Sequence, residues 1–230
     1  MATTDLSDPI LRRLREATSL ALWQHSAVQV RDDEPFRLAS GNYSPIYVDC
    51  RRVISDPSFL RLFTATSGLL LAGTDFDVVA GGETAGIPYA AYLAQAVGKP
   101  MIYLRKKPKG YGTASRVEGT LAAGSRVLLV EDLITDGGSK VGFLEAVREA
   151  GGTVSDAVVL FDRQQGGEDL LSRHDVQLYA VTDRATAMAV ARSEGLLDDD
   201  ALESVRAYFR EPEAWHRSRD LVFHDPSSQN

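Results

Sequence analysis

The sequence predicts an α/β protein, a doubly wound parallel sheet with a small β-rich hood near its N-terminus. Short apolar runs at 77–83 (DVVAGGE), 125–133 (SRVLLVEDL) and 155–163 (SDAVVLFDR) show little alternation, so both faces of each strand should be buried. Segments of helical length separate them, as a sheet covered on both faces requires. The stretch at 28–53 instead breaks its apolar residues with Gly41, Asn42 and Pro45, which suggests short strands joined by a turn.

Along the chain, Ile10, Leu14, Ala17 and Ala21 follow Ser7, Asp8 and Pro9, so a capped amphipathic helix comes first. The hood occupies about 27–55. Asp56 and Pro57 open a second helix, rich in Phe59, Leu60, Phe63 and Leu70, that closes near Gly73. The core then alternates: the strand at 77–83, a helix from about Ala85 to Val97, and a strand in 100–107 (PMIYLRKK). The strand at 125–133 follows, then a helix through Phe143, Leu144 and Val147 to Gly151, the strand at 155–163, and a last strand at 176–183 (VQLYAVTD). From about 198 to 230 an acidic-capped helix leads into a polar tail, SSQN, that should fray.

At 230 residues one main core is the default. A net charge of −7 opposes non-specific attraction to a polyanion, so no nucleic-acid partner is expected. No run of 18 apolar residues and no basic-then-apolar leader is present, which disfavours membrane spanning and secretion. With Cys50 as the single cysteine no intrachain disulfide can form, and a reducing, cytoplasmic location fits best; a small buried hydrophobe is its ordinary role. His25, His174, His216 and His224 show no metal-ligand spacing, so no transition-metal site built by protein alone is expected.

Two segments carry chemistry. In VLLVEDLITDGGS (127–139) a buried strand delivers adjacent carboxylates, Glu131 and Asp132, and then a turn that opens a helix. Thr135, Gly137, Gly138 and Ser139 combine hydroxyls with backbone N–H groups at a helix N-terminus, where an anion is favoured and glycine permits close approach. The carboxylates suit ribose hydroxyls and positive charge developing on a sugar ring. The second segment, YLRKKPKGYGT (103–113), places Arg105, Lys106, Lys107 and Lys109 on a Gly/Pro-bearing loop. A charge run is usually a solvated face, but before a phosphate loop it can close over a departing pyrophosphate and exclude water.

Here the sequence resembles the type I phosphoribosyltransferases, whose motif for phosphoribosyl pyrophosphate is an apolar strand, two acidic residues, two apolar residues and a Thr/Gly-rich loop. Within that family it is similar to the orotate phosphoribosyltransferases. FRLASGNYSPIYVDCR near the start, GGETAGIP (81–88), RKKPKGYGT, VEGTL (117–121), the phosphate motif and FDRQQGG (161–167) carry the resemblance, over about 30–170.

The resemblance implies transfer of the 5-phosphoribosyl group from phosphoribosyl pyrophosphate to orotate, giving orotidine 5′-monophosphate and pyrophosphate in pyrimidine biosynthesis. It implies Mg²⁺ bound mainly through the pyrophosphate ester, and a homodimer with shared active sites. Arg105, Lys106, Lys109 and Tyr111 would meet pyrophosphate, the cations coming from a partner subunit. Glu131, Asp132, Leu133, Ile134, Thr135, Asp136, Gly137, Gly138 and Ser139 would hold the ribose and its 5′-phosphate. Thr135, Arg163, Tyr47 and Val48 would contact orotate, while Lys109, Arg105, Glu131 and Asp132 would do the catalytic work. Lys107 stands where the family commonly has an acidic residue, Tyr111 where many members have His, and Ala39 where many have Lys.

Two alternatives compete. A purine-using phosphoribosyltransferase is opposed by the hood and by Arg163, which suits an anionic pyrimidine. A non-catalytic regulator sensing phosphoribosyl pyrophosphate is opposed by the acidic charge and by the retained cationic loop. No G-x-G-x-x-G follows a strand, so a dinucleotide-binding reading fails.

Overall fold

The structure, a computed structural model, describes residues 8–38, 40–108 and 115–225. The sequence expectations at Ala39, Lys109, Tyr111 and the terminal SSQN lie outside the described residues.

Helix α1 (Pro9–Gln24) starts where the Asp8 side chain accepts the N–H of Ile10, with proline in the first turn. The hood follows, as β1 (Val28–Val30), β2 (Phe36–Arg37), β3 (Tyr43–Ser44) and β4 (Ile46–Val48). They form two small antiparallel pairs, β1 with β4 and β2 with β3, ending in a 3-10 turn at Cys50–Val53. Cys50 is buried, as its small apolar character suggests. Asp56 caps α2 (Pro57–Leu70) in the same manner as Asp8 caps the first helix.

The core comprises β5 (Val78–Gly82), α3 (Gly86–Val97), β6 (Met101–Leu104), β7 (Val117–Glu118), β8 (Arg126–Ile134), α4 (Gly138–Glu149) and β9 (Thr153–Asp162). It is completed by α5 (Gly167–Ser172), β10 (Gln177–Asp183) and α6 (Arg184–Ser193). One sheet has the order β10-β9-β8-β5-β6-β7, parallel except for the edge strand β7. Alternate strand residues feed two cores: Val79, Leu128, Val130, Val158 and Leu160 pack with α1, α2 and α3, whereas Ala80, Val127, Leu129, Ala157 and Val159 pack beneath α4. Each fully buried Leu, Val or Phe contributes roughly 1.5–3 kcal/mol, so these two layers dominate stability. Burial on both faces explains the unbroken apolar runs.

The structure contains elements that the sequence did not announce. β7, α5 and α6 were not foreseen, being two residues, one and a half turns, and an alanine-rich helix. The segment from Asp198 begins a capped helix as expected, α7 (Asp199–Arg210), and with α8 (Pro212–Arg217) it buries Leu202, Val205, Tyr208, Trp215 and His216.

Chain order reverses between β5 and β8, since β5 leads outward to β6 while β8 leads the other way to β9 and β10. Such a switch point opens a crevice beyond the carboxyl ends of the strands.

Candidate active site

At that crevice lies a cavity of about 370 Å³. The hood supplies Tyr47, Val48, Asp49 and Arg51; the turn after β5 supplies Glu83, Thr84 and Ala85. Lys106 enters from the end of β6, its N–H donating to Glu83 Oε2 at 2.9 Å. The end of β8 contributes Glu131, Asp132 and Leu133, and the start of α4 contributes Ser139, Lys140 and Phe143.

The two carboxylates are not equivalent. Glu131 is 5% exposed and its Oε2 accepts from Lys140 Nζ, while Oε1 has no hydrogen-bond partner and rests against the backbone of Gly82 and Gly86. A Cβ on Gly86 would stand 2.5 Å from the Val130 carbonyl and 2.6 Å from Glu131 Oε1, so α3 meets β8 with no side chain between them. Burial pushes the Glu131 carboxyl above its ordinary range, against the pull of the Lys140 ammonium. Asp132 is half-buried at the cavity, and burial raises its carboxyl too, with Lys140 again the main opposing charge.

Beyond β8, Gly137 takes a left-handed φ of +84° and starts α4 without a side-chain cap. Asp136, turned to solvent, accepts the Gly138 N–H at 3.0 Å, while Ser139 faces the cavity. A helix N-terminus beside a half-buried carboxylate can hold a phosphate next to a polyol.

Among the sequence candidates, Tyr47, Val48, Lys106, Glu131, Asp132, Leu133 and Ser139 come together around the cavity. Ile134 is buried in the sheet, and Thr135 is half-buried beside it. Arg105 leans away, with Nη1 3.7 Å from Glu118 Oε1. Arg163 sits at the end of β9, its N–H on the Ile134 carbonyl at 3.0 Å. Burial lowers its guanidinium below the ordinary value, opposed by the neighbouring Tyr208 and Tyr47.

Lys140, Glu83 and Tyr208 were missed. Glu83 lies inside GGETAGIP, and the motif marks the turn without revealing what its carboxylate binds. Lys140 directly follows the turn at 135–139, and its burial against β8 is a tertiary fact. Among the described residues, no cluster of three His, Cys, Asp or Glu could hold a metal, and no helix is long and apolar enough to cross a membrane.

Residues 63–179 match the phosphoribosyl transferase domain family. The orotate phosphoribosyltransferase of Sinorhizobium fredii is 44% identical over 208 residues, covering 88% of this chain and 90% of that protein. Leishmania donovani UMP synthase superposes with a TM-score of 0.74 at 30% identity over 84% of this chain, which spans 41% of the UMP synthase. The Mycobacterium tuberculosis orotate phosphoribosyltransferase in complex with 5-phospho-α-D-ribosyl 1-diphosphate gives a TM-score of 0.63 at 27% identity, over 76% of this chain and 98% of that one.

Proposed function

The chain belongs to the orotate phosphoribosyltransferases and transfers the phosphoribosyl group to orotate in pyrimidine biosynthesis, and from that premise we propose which residues of its cavity do what. The carrying observation is the juxtaposition of Asp132 with the opening of α4 beneath the hood. In the reaction the bond from C1 of the ribose to pyrophosphate breaks and a bond from C1 to a ring nitrogen of orotate forms, so the sugar ring becomes transiently cationic.

Asp132 faces the cavity and accepts hydrogen bonds from the ribose hydroxyls, and its charge offsets that of the ring. Glu131 adds a second negative charge from below, held in place by Lys140. The N–H groups and hydroxyls of Thr135 to Ser139, with Asp136 bracing the turn, anchor the 5′-phosphate. Leu133 and Ile134 set the spacing between the carboxylates and that loop. Arg163, a fixed fork of donors, pairs with the orotate carboxylate while Thr135, Tyr47 and Val48 bound its ring.

Lys106 lines the cavity of its own chain, so the contribution across a homodimer falls to Lys109 and the residues around it, with Arg105 and Tyr111 closing on pyrophosphate. Asp132, the accessible carboxylate of the pair, is a hard oxygen donor that fits Mg²⁺, which prefers to keep waters and substrate oxygens as ligands, whereas Glu131 is closed off by Lys140 and the glycines beneath it. Mg²⁺ would neutralise charge on the leaving pyrophosphate. An acidic chain with one buried cysteine fits a cytoplasmic enzyme without a nucleic-acid partner.

Steady-state kinetics followed by the loss of orotate absorbance test the assignment. Arg163→Ala should raise the orotate KM much more than that of phosphoribosyl pyrophosphate. Equal effects on both would assign Arg163 a general structural role instead.

A further inference from the structure

The hood has little to hold it in place by itself. Its ladders are three residue pairs between β1 and β4 and two between β2 and β3, and an isolated two-stranded ribbon is marginal in water. Val28, Ile46, Val48 and Cys50 seat the hood on the main core, and polar anchors to it come from the C-terminal segment, 170 to 190 residues away in sequence.

Three anchors join them. His216, fully buried, accepts the Tyr43 N–H at Nε2 at 3.0 Å, while its Nδ1 lies 2.7 Å from the Pro212 carbonyl. A carbonyl can only accept, so Nδ1 carries the proton and Nε2 is left as the acceptor. Asn42 pairs with the His224 backbone in both directions, at 2.8 Å to the carbonyl and 2.7 Å from the N–H. Asp32, at the other end of the hood, accepts from Ser204 and from Arg219 at 2.6 Å, and Trp215 Nε1 donates to Ser204 Oγ at 3.0 Å.

The grip is passed on to the cavity. From Tyr43 the chain reaches Tyr47 and Val48 through a turn in which Ser44 Oγ bonds both the N–H and the carbonyl of Ile46, at 3.2 and 2.8 Å. Phe36, paired with Ser44 across β2 and β3, stacks on Tyr47 at 5.4 Å. Tyr208 of α7, buried and edge-on to Trp215 at 5.3 Å, is near enough for its electrostatic influence to reach the Arg163 guanidinium, as that of Tyr47 does.

We propose that the C-terminal segment sets the position of the hood over the cavity, and that His216 is the positioning residue through which it tunes binding of the pyrimidine substrate. The inference rests on the reading of Tyr47, Val48 and Arg163 as the orotate end of the site.

His216→Phe keeps a ring in the buried space and removes the acceptor, leaving the Tyr43 N–H without a partner. In the full-length protein it should raise the orotate KM on the order of tenfold and leave the KM for phosphoribosyl pyrophosphate within about twofold. His216→Gln, which can present an amide oxygen near the place of Nε2, should recover most of the loss. Hydrogen exchange at the Tyr43 amide should quicken in the first variant and slow again in the second. If His216→Phe does not fold, Asn42→Ala releases a neighbouring anchor from the hood side and should shift the same KM in the same direction. Unchanged exchange at Tyr43 overturns the clamp itself, and an equal rise in both KM values reduces it to general stability. Faster exchange with an unmoved orotate KM also overturns the proposal. It then places the fault in the reading of the hood as the orotate wall, which Tyr47→Ala checks separately.

Discussion

Replacing Lys140 by Met should unfold the protein well below the wild-type temperature. The side chains of Lys140 and Glu131 are 10% and 6% exposed, so the variant leaves a carboxylate buried without its hydrogen-bonded counter-charge and with Oε1 already lacking a partner. Breaking a buried pair from one side costs roughly 3–5 kcal/mol. At about 2–4 °C per kcal/mol for a chain of this size, the midpoint should fall by roughly 6–20 °C. The loss should depend on pH. Burial already raises the folded-state pKa of Glu131 above its ordinary 4.5, so this carboxyl costs stability as pH rises above that value, and Lys140 offsets the cost. Without Lys140 the folded pKa climbs further. The deficit is then greatest at neutral pH and shrinks as pH falls toward 4.5, where the carboxyl takes up a proton. Thermal unfolding followed by circular dichroism at several pH values measures this, and Glu131→Gln in the same background should restore most of the deficit. A midpoint near that of the wild type, or a deficit that ignores pH, would refute the buried-charge argument.

Asp132→Asn should lower turnover on the order of 10²-fold with folding intact, measured by orotate consumption; near wild-type kinetics would remove it from the ribose site. Mixing Lys109→Ala and Asp132→Asn dimers should bring activity back toward about a quarter of wild type per subunit, because each mixed dimer holds one undamaged site; verified exchange without recovery would return the loop to its own chain. Arg126 holds the Asp77 carboxyl well below its usual range, so that contact stabilises the fold above pH 3.8 and is lost as pH falls through the folded value. Arg126→Ala should therefore flatten the acid limb of a plot of Tm against pH and leave orotate kinetics alone.

Legibility followed the range of the interactions. Asp8–Pro9 and Asp56–Pro57 announce their helices because a cap and a fixed φ act within one turn, and both helices begin there. Strands β5, β8 and β9 show as apolar runs because each residue faces one of two cores. The acidic pair and the helix-opening turn were visible because strand, carboxylates and glycines are contiguous. Helix α6 escaped because its buried residues, Ala187, Val190 and Ala191, are mostly small and make a weak apolar stripe. The pairing of His216 with Tyr43 spans 173 residues, and no local pattern encodes it. The burial of Trp215 and His216 has no local signal for the same reason. The differing surroundings of Glu131 and Asp132 likewise depend on Lys140 and on the glycines of two other elements.

The direct seating of α3 on β8, backbone against backbone at Gly86, divides the cavity into a stiff half and a compliant half. No side chain of α3 stands between helix and strand there, and the Glu131 carboxylate that fills the seam is itself held by Lys140, so a change of volume at this point would be felt at once by the turn after β5 and the acidic strand end. A ribose phosphate bound as proposed would meet a closely packed wall on this side. Whatever adjustment the incoming base demands falls to the ribbons overhead, within the limits that their buried side and their C-terminal anchors allow.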